Sequence, residues 1–219
     1  MGSLAGQAYH KLLERFIRAE YMPGDKLSEN ILSQELKMSR TPIRTALIRL
    51  IRKNYIDSVD KKGIYVKGFS EKTFIDNCLF LHDLQKIVLY QLIKKNNNEL
   101  ISQLKPIILH QIHAKEKNDY YGYLIETYNF IETIFKSYDN DVLLKAFQNI
   151  KQDSMRMSMI IYNLTKHQPH YSTINMFTAL SQSLKAQNID EVDQYLQKNH
   201  ERIMQFTKLF NGNGDIFLQ

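Results

Sequence analysis

Met38-Ser39-Arg40-Thr41-Pro42-Ile43-Arg44-Thr45-Ala46-Leu47 is the stretch from which the rest of this sequence can be read. Ser39 stands where a helix N-cap belongs, and Pro42 falls in the first turn, where its missing N–H has no intrahelical partner. Ile43, Ala46, Leu47 and Leu50 recur at helical spacing, which predicts a helix from about Thr41 to Lys53 with one inward face. The N-terminal end of that helix gathers Ser39, Arg40, Thr41 and Arg44. Backbone N–H groups at such an end favour phosphate, the two arginines project from one face, and a guanidinium can grip guanine O6 and N7 bidentately. The plainer reading of the same residues is a capping serine beside a solvated basic face.

Upstream, Leu4, Ala8, Leu12, Leu13, Phe16 and Ile17 make one face of a helix running to Ala19. Met22-Pro23-Gly24-Asp25 breaks it, and Ser28 can cap a short second helix with Ile31, Leu32 and Leu36 inward. Downstream, residues 55–59 and 64–67 are β-rich, with Asp60-Lys61-Lys62-Gly63 as a hairpin tip. Three helices and a hairpin within residues 1–68 describe a winged helix-turn-helix. Residues 1–68 hold 13 Lys and Arg against 7 Asp and Glu, a net of +6, whereas residues 69–219 hold 16 of each. The whole basic excess sits on the small module, which points to a polyanionic partner there.

The segment from Pro23-Gly24 through Leu27-Ser28-Glu29 and Ser39-Arg40-Thr41-Pro42-Ile43-Arg44 to Asn54-Tyr55-Ile56 resembles the GntR family of bacterial transcription regulators. Thr45 departs from the usual Glu after the arginine. Asn54 replaces the usual Gly at the end of the third helix, a mild change because Asn is the next-best left-handed residue. The resemblance implies a palindromic double-stranded operator, with Asn30 and the wing tip Lys61, Lys62 and Gly63 joining Ser39, Arg40, Thr41 and Arg44 as DNA contacts.

From Glu71 onward every segment reads helical, with expected helices over 71–95, 98–117, 120–137, 139–163, 171–187 and 189–210. Short connections between six helices imply an antiparallel bundle in residues 69–219, with a kink or late start at Pro106. The fold class is therefore mainly α. A GntR-type head before such a bundle resembles the FadR subfamily, whose second half is the FCD ligand-sensing domain. Phe130, Asn140 and Val142-Leu143 resemble one of its segments, and Phe177, Leu180, Ser183-Leu184 and Gln187-Asn188 another.

Many members of that subfamily hold a metal on an Asp and three His. Alignment on the flanking apolar residues places Thr127, Ile131, Phe177 and Asn199 at those positions, and Ile and Phe cannot coordinate a cation. A metal-free pocket and no cofactor are expected. His200 lies one position past a ligand site, roughly 100° around the helix, and His110 and His113 have ligand spacing but read as ordinary exposed histidines. Thr127 and Asn199 are candidate polar contacts for an anionic metabolite. Arg156, amid Met155, Met157 and Met159, is a third, or else it faces solvent or an acidic residue.

Composition closes off other classes. Eight glycines and four prolines leave little turn material for an all-β fold. The single cysteine, Cys78, excludes an internal disulfide and fits a reducing cytoplasm. No apolar run nears the ~18 residues of a membrane span, and Met1–Tyr21 has no signal-peptide pattern. No nucleophile–base pair or phosphate-binding glycine loop stands out, so an enzyme using the histidine pair is the weakest reading. A homodimeric repressor with an effector in its helical half is the leading expectation. An architectural DNA-binding protein whose helical half only dimerises is the alternative.

Overall fold

The computed structural model describes residues 3–59, 63–68, 70–166 and 170–212, which divide into two compact units, Met1–Glu71 and Lys72–Asn213. In the first unit, α1 (Leu4–Ile17) opens on Ser3, whose Oγ accepts from the Gly6 N–H at 3.1 Å. Helices α2 (Glu29–Leu36) and α3 (Arg40–Arg52) come next. Ala8, Leu12 and Phe16 of α1 meet Ile43, Ala46, Leu47 and Leu50 of α3 in a core closed to water. Burial of this kind stabilises by about 25 cal/mol per Å2 of apolar surface. The inward placement of Ile31 is corrected: it is 55% exposed, while Leu32, also expected inward, is the residue α2 buries. A helix of two turns packed on α3 has only one narrow face to hide, and Ile31 lies about 100° from it.

Three strands complete the unit, β1 (Lys26–Leu27), β2 (Ile56–Val59) and β3 (Gly63–Val66), in the antiparallel order β1-β3-β2. Ile56 pairs with Val66 and Val59 with Gly63, while Lys26 pairs with Tyr65 and Leu27 with Ile64. The hairpin matches the sequence expectation. Strand β1 does not, since two residues are too few to show an alternating pattern. Asn54 ends the α3 segment at φ 65°, the left-handed role expected of it, and its Oδ1 accepts from Lys67 Nζ at 2.6 Å.

The second unit contains six helices among the described residues: α4 (Glu71–Leu92), α5 (Asn98–Glu116), α6 (Tyr120–Ser137), α7 (Asp141–Leu164), α8 (Thr173–Ala186) and α9 (Ile189–Gly212). Left-handed residues mark three of the breaks, Asn118, Asp139 and Gln187. Asp119 caps α6 and Asn140 caps α7, accepting from the N–H groups of Gly122 and Leu143 at 2.9 and 3.0 Å. Helix α5 runs unbroken through Pro106, so no late start occurs there. Pro106 and Ser102 are both exposed, and the carbonyl deprived of its partner can turn to water. The core holds Val88, Leu89, Leu104, Phe130, Phe135, Phe147, Ile160, Leu180, Leu184 and Val192, all fully buried. No helix among the described residues is long and apolar enough to cross a membrane.

Candidate nucleic-acid interface and helical cavity

The buried face of α3 fixes what its other face presents. With Ile43, Ala46 and Leu47 turned inward, Ser39, Arg40, Thr41 and Arg44 stand exposed at its N-terminal end. Ser39 holds the N-cap position through its backbone alone. Its side chain makes no cap hydrogen bond, so the hydroxyl is not committed to the helix. Arg44 remains 66% exposed in its side chain while its Nε and Nη2 reach the two carboxylate oxygens of Glu29 on α2, at 3.0 and 2.9 Å. That fork geometry holds Glu29 below the usual carboxylate range, because Arg44 both donates to it and carries the opposite charge.

Asn30, the next residue on α2, is exposed beside this pair in sequence. Gly63 opens β3 at φ +115°, a backbone conformation that calls for glycine, and an added Cβ would lie 3.1 Å from Lys26 Cε, which a flexible lysine can yield. Lys26 on β1 extends over the Tyr65 ring and adds a cation to the sheet that the sequence reading left out. Asp60, Lys61 and Lys62 lie outside the described residues.

The second unit contains a cavity of about 550 Å3, lined from α4, α5, α6, α7, α8 and α9. Of the residues singled out from sequence, Thr127, Ile131 and Asn199 line it, and Arg156 and Phe177 do not. Arg156 is buried, 5% exposed, within α7. Phe177 lies flat on Phe130, with centroids 3.9 Å apart and planes 4° from parallel. Thr127 is tied into the bundle. Its hydroxyl donates to the Tyr123 carbonyl at 2.9 Å and accepts from Gln111 Nε2 at 2.9 Å, and Gln111 also donates to Thr173 at 3.2 Å.

Asn199 Oδ1 accepts from Arg202 Nη2 at 3.0 Å, and its amide nitrogen lies 3.4 Å from His82 Nδ1. Burial, and secondarily the neighbouring His200, hold His82 below its ordinary value. Arg202 and Gln111 are the residues that sequence reasoning missed. Both look like ordinary polar positions of a helix until the neighbouring helices are in place.

His110 and His113 are exposed on α5, near Glu126 and Glu116 at 3.8 and 3.7 Å. Among the described residues no three of His, Cys, Asp and Glu gather as a metal site would require. Cys78 lines the cavity as a thiol, pushed by burial up to about 11.

Residues 4–66 match the family of bacterial regulatory proteins described as the gntR family. The chain is 22% identical over 203 residues to the Nta operon transcriptional regulator of Aminobacter aminovorans, covering 89% of this chain and 94% of that one. It is 29% identical over 142 residues to the gluconate operon transcriptional repressor of Bacillus licheniformis, covering 64% of this chain and 58% of that one. Among solved structures, E. coli McbR/YncC is similar with a TM-score of 0.69 at 18% identity, covering 94% of this chain and 99% of the other. At that identity the likeness speaks to the fold alone.

Proposed function

We propose, from the match of residues 4–66 to the gntR family of bacterial regulatory proteins, that the chain is a transcription regulator and not an enzyme: a homodimeric, cytoplasmic repressor controlled by a small molecule. Its heads read the two halves of a palindromic operator, and the ligand is held in the cavity of the helical unit. The observation that carries the reading is the end of α3, where Ser39, Arg40, Thr41 and Arg44 stand exposed on a domain that matches the family. A recognition helix enters the major groove by this end. Arg40 and Arg44 are assigned to base edges or phosphates, Ser39 and Thr41 to phosphates, and Asn30 and the wing residues Lys61, Lys62 and Gly63 to flanking backbone.

Repression is taken from the names of the gluconate operon relatives. Dimerisation through α4 is supported by Phe80 and Ile87, 41% and 51% exposed and seven residues apart on one face, with Leu84 half-buried between them. Ligand control rests on linkage. A ligand that prefers one arrangement of the heads by ~1–3 kcal/mol changes operator affinity by ~5–150-fold.

Fluorescence anisotropy with a palindromic duplex, selected from a random pool by the full chain, tests the DNA-binding surface. Affinity is expected to fall linearly on a log–log plot against salt. Arg44→Ala is expected to weaken binding roughly tenfold to a hundredfold and to relax base preference at one position. Unchanged affinity in both Arg40→Ala and Arg44→Ala removes α3 from the interface.

A further inference from the structure

The cavity of the helical unit holds two cationic side chains, Arg202 and Lys115, and no carboxylate among the described residues that line it. Its volume of about 550 Å3 falls within the roughly 300–1,000 Å3 of small-molecule sites. Arg202 is only partly engaged there. Nη2 donates to Asn199, while Nε is closed to solvent and has no hydrogen-bond partner among the described residues. An unmet buried donor costs free energy, and a guanidinium offers its donors as a planar fork matched to a carboxylate.

The Arg202 charge also acts across the cavity. Burial raises the Cys78 thiol and the Tyr120 and Tyr128 phenols that line it, and the Arg202 charge opposes that rise. Asn199, itself close to His82 of α4, steadies the guanidinium through Nη2 alone, which leaves Nε to another acceptor.

The rest of the lining is suited to an apolar body. Leu81, Leu124, Ile131, Ile161, Ile203 and Phe206 supply it. The hydroxyls of Tyr123, Thr127 and Thr173 are bonded to one another and to Gln111, which leaves few of them for a polyol.

We propose that Arg202 anchors an organic carboxylate carried on a ring or short apolar chain, and that this molecule is the effector. The proposal rests on the regulator reading above and deepens it by naming the ligand class and the anchoring residue.

Thermal-shift titrations of the full chain test it. The probes are benzoate, phenylacetate and hexanoate, set against their amides, against gluconate, and against sulfate at equal ionic strength. At least one apolar acid is expected to raise the unfolding midpoint saturably, with its amide, gluconate and sulfate at least tenfold weaker. Arg202→Gln is expected to weaken that acid at least tenfold, and Arg202→Lys to restore part of the loss. Absence of any shift with all three acids overturns the proposal, as does an acid equalled by its amide, by gluconate or by sulfate. Unchanged binding in Arg202→Gln overturns it too. Should that variant not fold, the acid–amide comparison on the unaltered chain decides. Duplex binding measured on the same samples separates the two readings: failed carboxylate binding leaves the α3 surface standing, and failed DNA binding leaves the anchor standing.

Discussion

Arg44 and Glu29 form a bidentate pair across the turn between α2 and α3, in a position open to solvent. Such a pair contributes little to folding, since water and salt screen it. It does limit the rotamers of a long side chain, so in the proposed DNA contact Arg44 would meet a duplex already extended from the surface. His82 carries the opposite lesson, a titratable group closed in by its fold. It is 8% exposed, with His200 of α9 against it and Asp83 and Lys86 beside it on α4. Its folded value is lowered, so the neutral ring is favoured in the folded state. That contribution is fully present above the ordinary value of about 6.5 and is lost as pH falls through the folded value. The unfolding midpoint is therefore expected to drop on acidification below about pH 6.5. His82→Gln is expected to flatten that part of the profile, and an unaltered slope in the variant refutes the assignment. The arginine that lines the cavity was not the one the sequence suggested. Arg156 drew attention because methionines surround it in sequence, but Arg202, flanked by Glu201 and Ile203, is the one that lines the cavity. Periodicity places a residue on a face of its own helix and says nothing of which helix covers that face.

At the scale of elements, the helix-turn-helix was legible nearly to the residue. Local signals there agree with the tertiary outcome: Ser39 before α3, Pro42 in its first turn, and Asn54 in the left-handed position after it. Strand β1 was not legible, because its only evidence is its pairing with β3. Phe130 on α6 stacks against Phe177 on α8 and ties those two helices together in the core. Both rings are buried, 0% and 3% exposed, and nearly coplanar in orientation. Phe177→Ala removes one ring from that contact and is expected to cost about 3–5 kcal/mol in chemical denaturation. A loss below about 1 kcal/mol, less than a typical core truncation, contradicts a tightly packed stack.

For the whole molecule, the surface that matters is α4. Leu81, Val88, Leu89 and Leu92 are spent on the interior of their own unit, while Phe80 and Ile87 remain outside. Large apolar side chains in register on an exposed helix face are expected to be covered by a second copy. Sedimentation of the full chain at micromolar concentration is expected to give a dimer, and Phe80→Glu with Ile87→Glu a monomer that keeps its helical circular dichroism. A monomeric unaltered chain removes α4 from that role and overturns the proposed homodimer.

The order of the helices, the hairpin and the basic face of α3 were determined by the sequence alone, because each is written in local chemistry: apolar spacing, caps and left-handed residues. The cavity was decided only by the tertiary structure. Its walls come from six helices, and contacts such as Asn199 to His82 or Gln111 to Thr173 join residues 117 and 62 positions apart. Thr127 and Asn199 could be placed near it by their helix phase. Which of their atoms were already bonded, and that Arg202 was the cation beside them, depended on side chains brought in from other helices, and no local pattern encodes that.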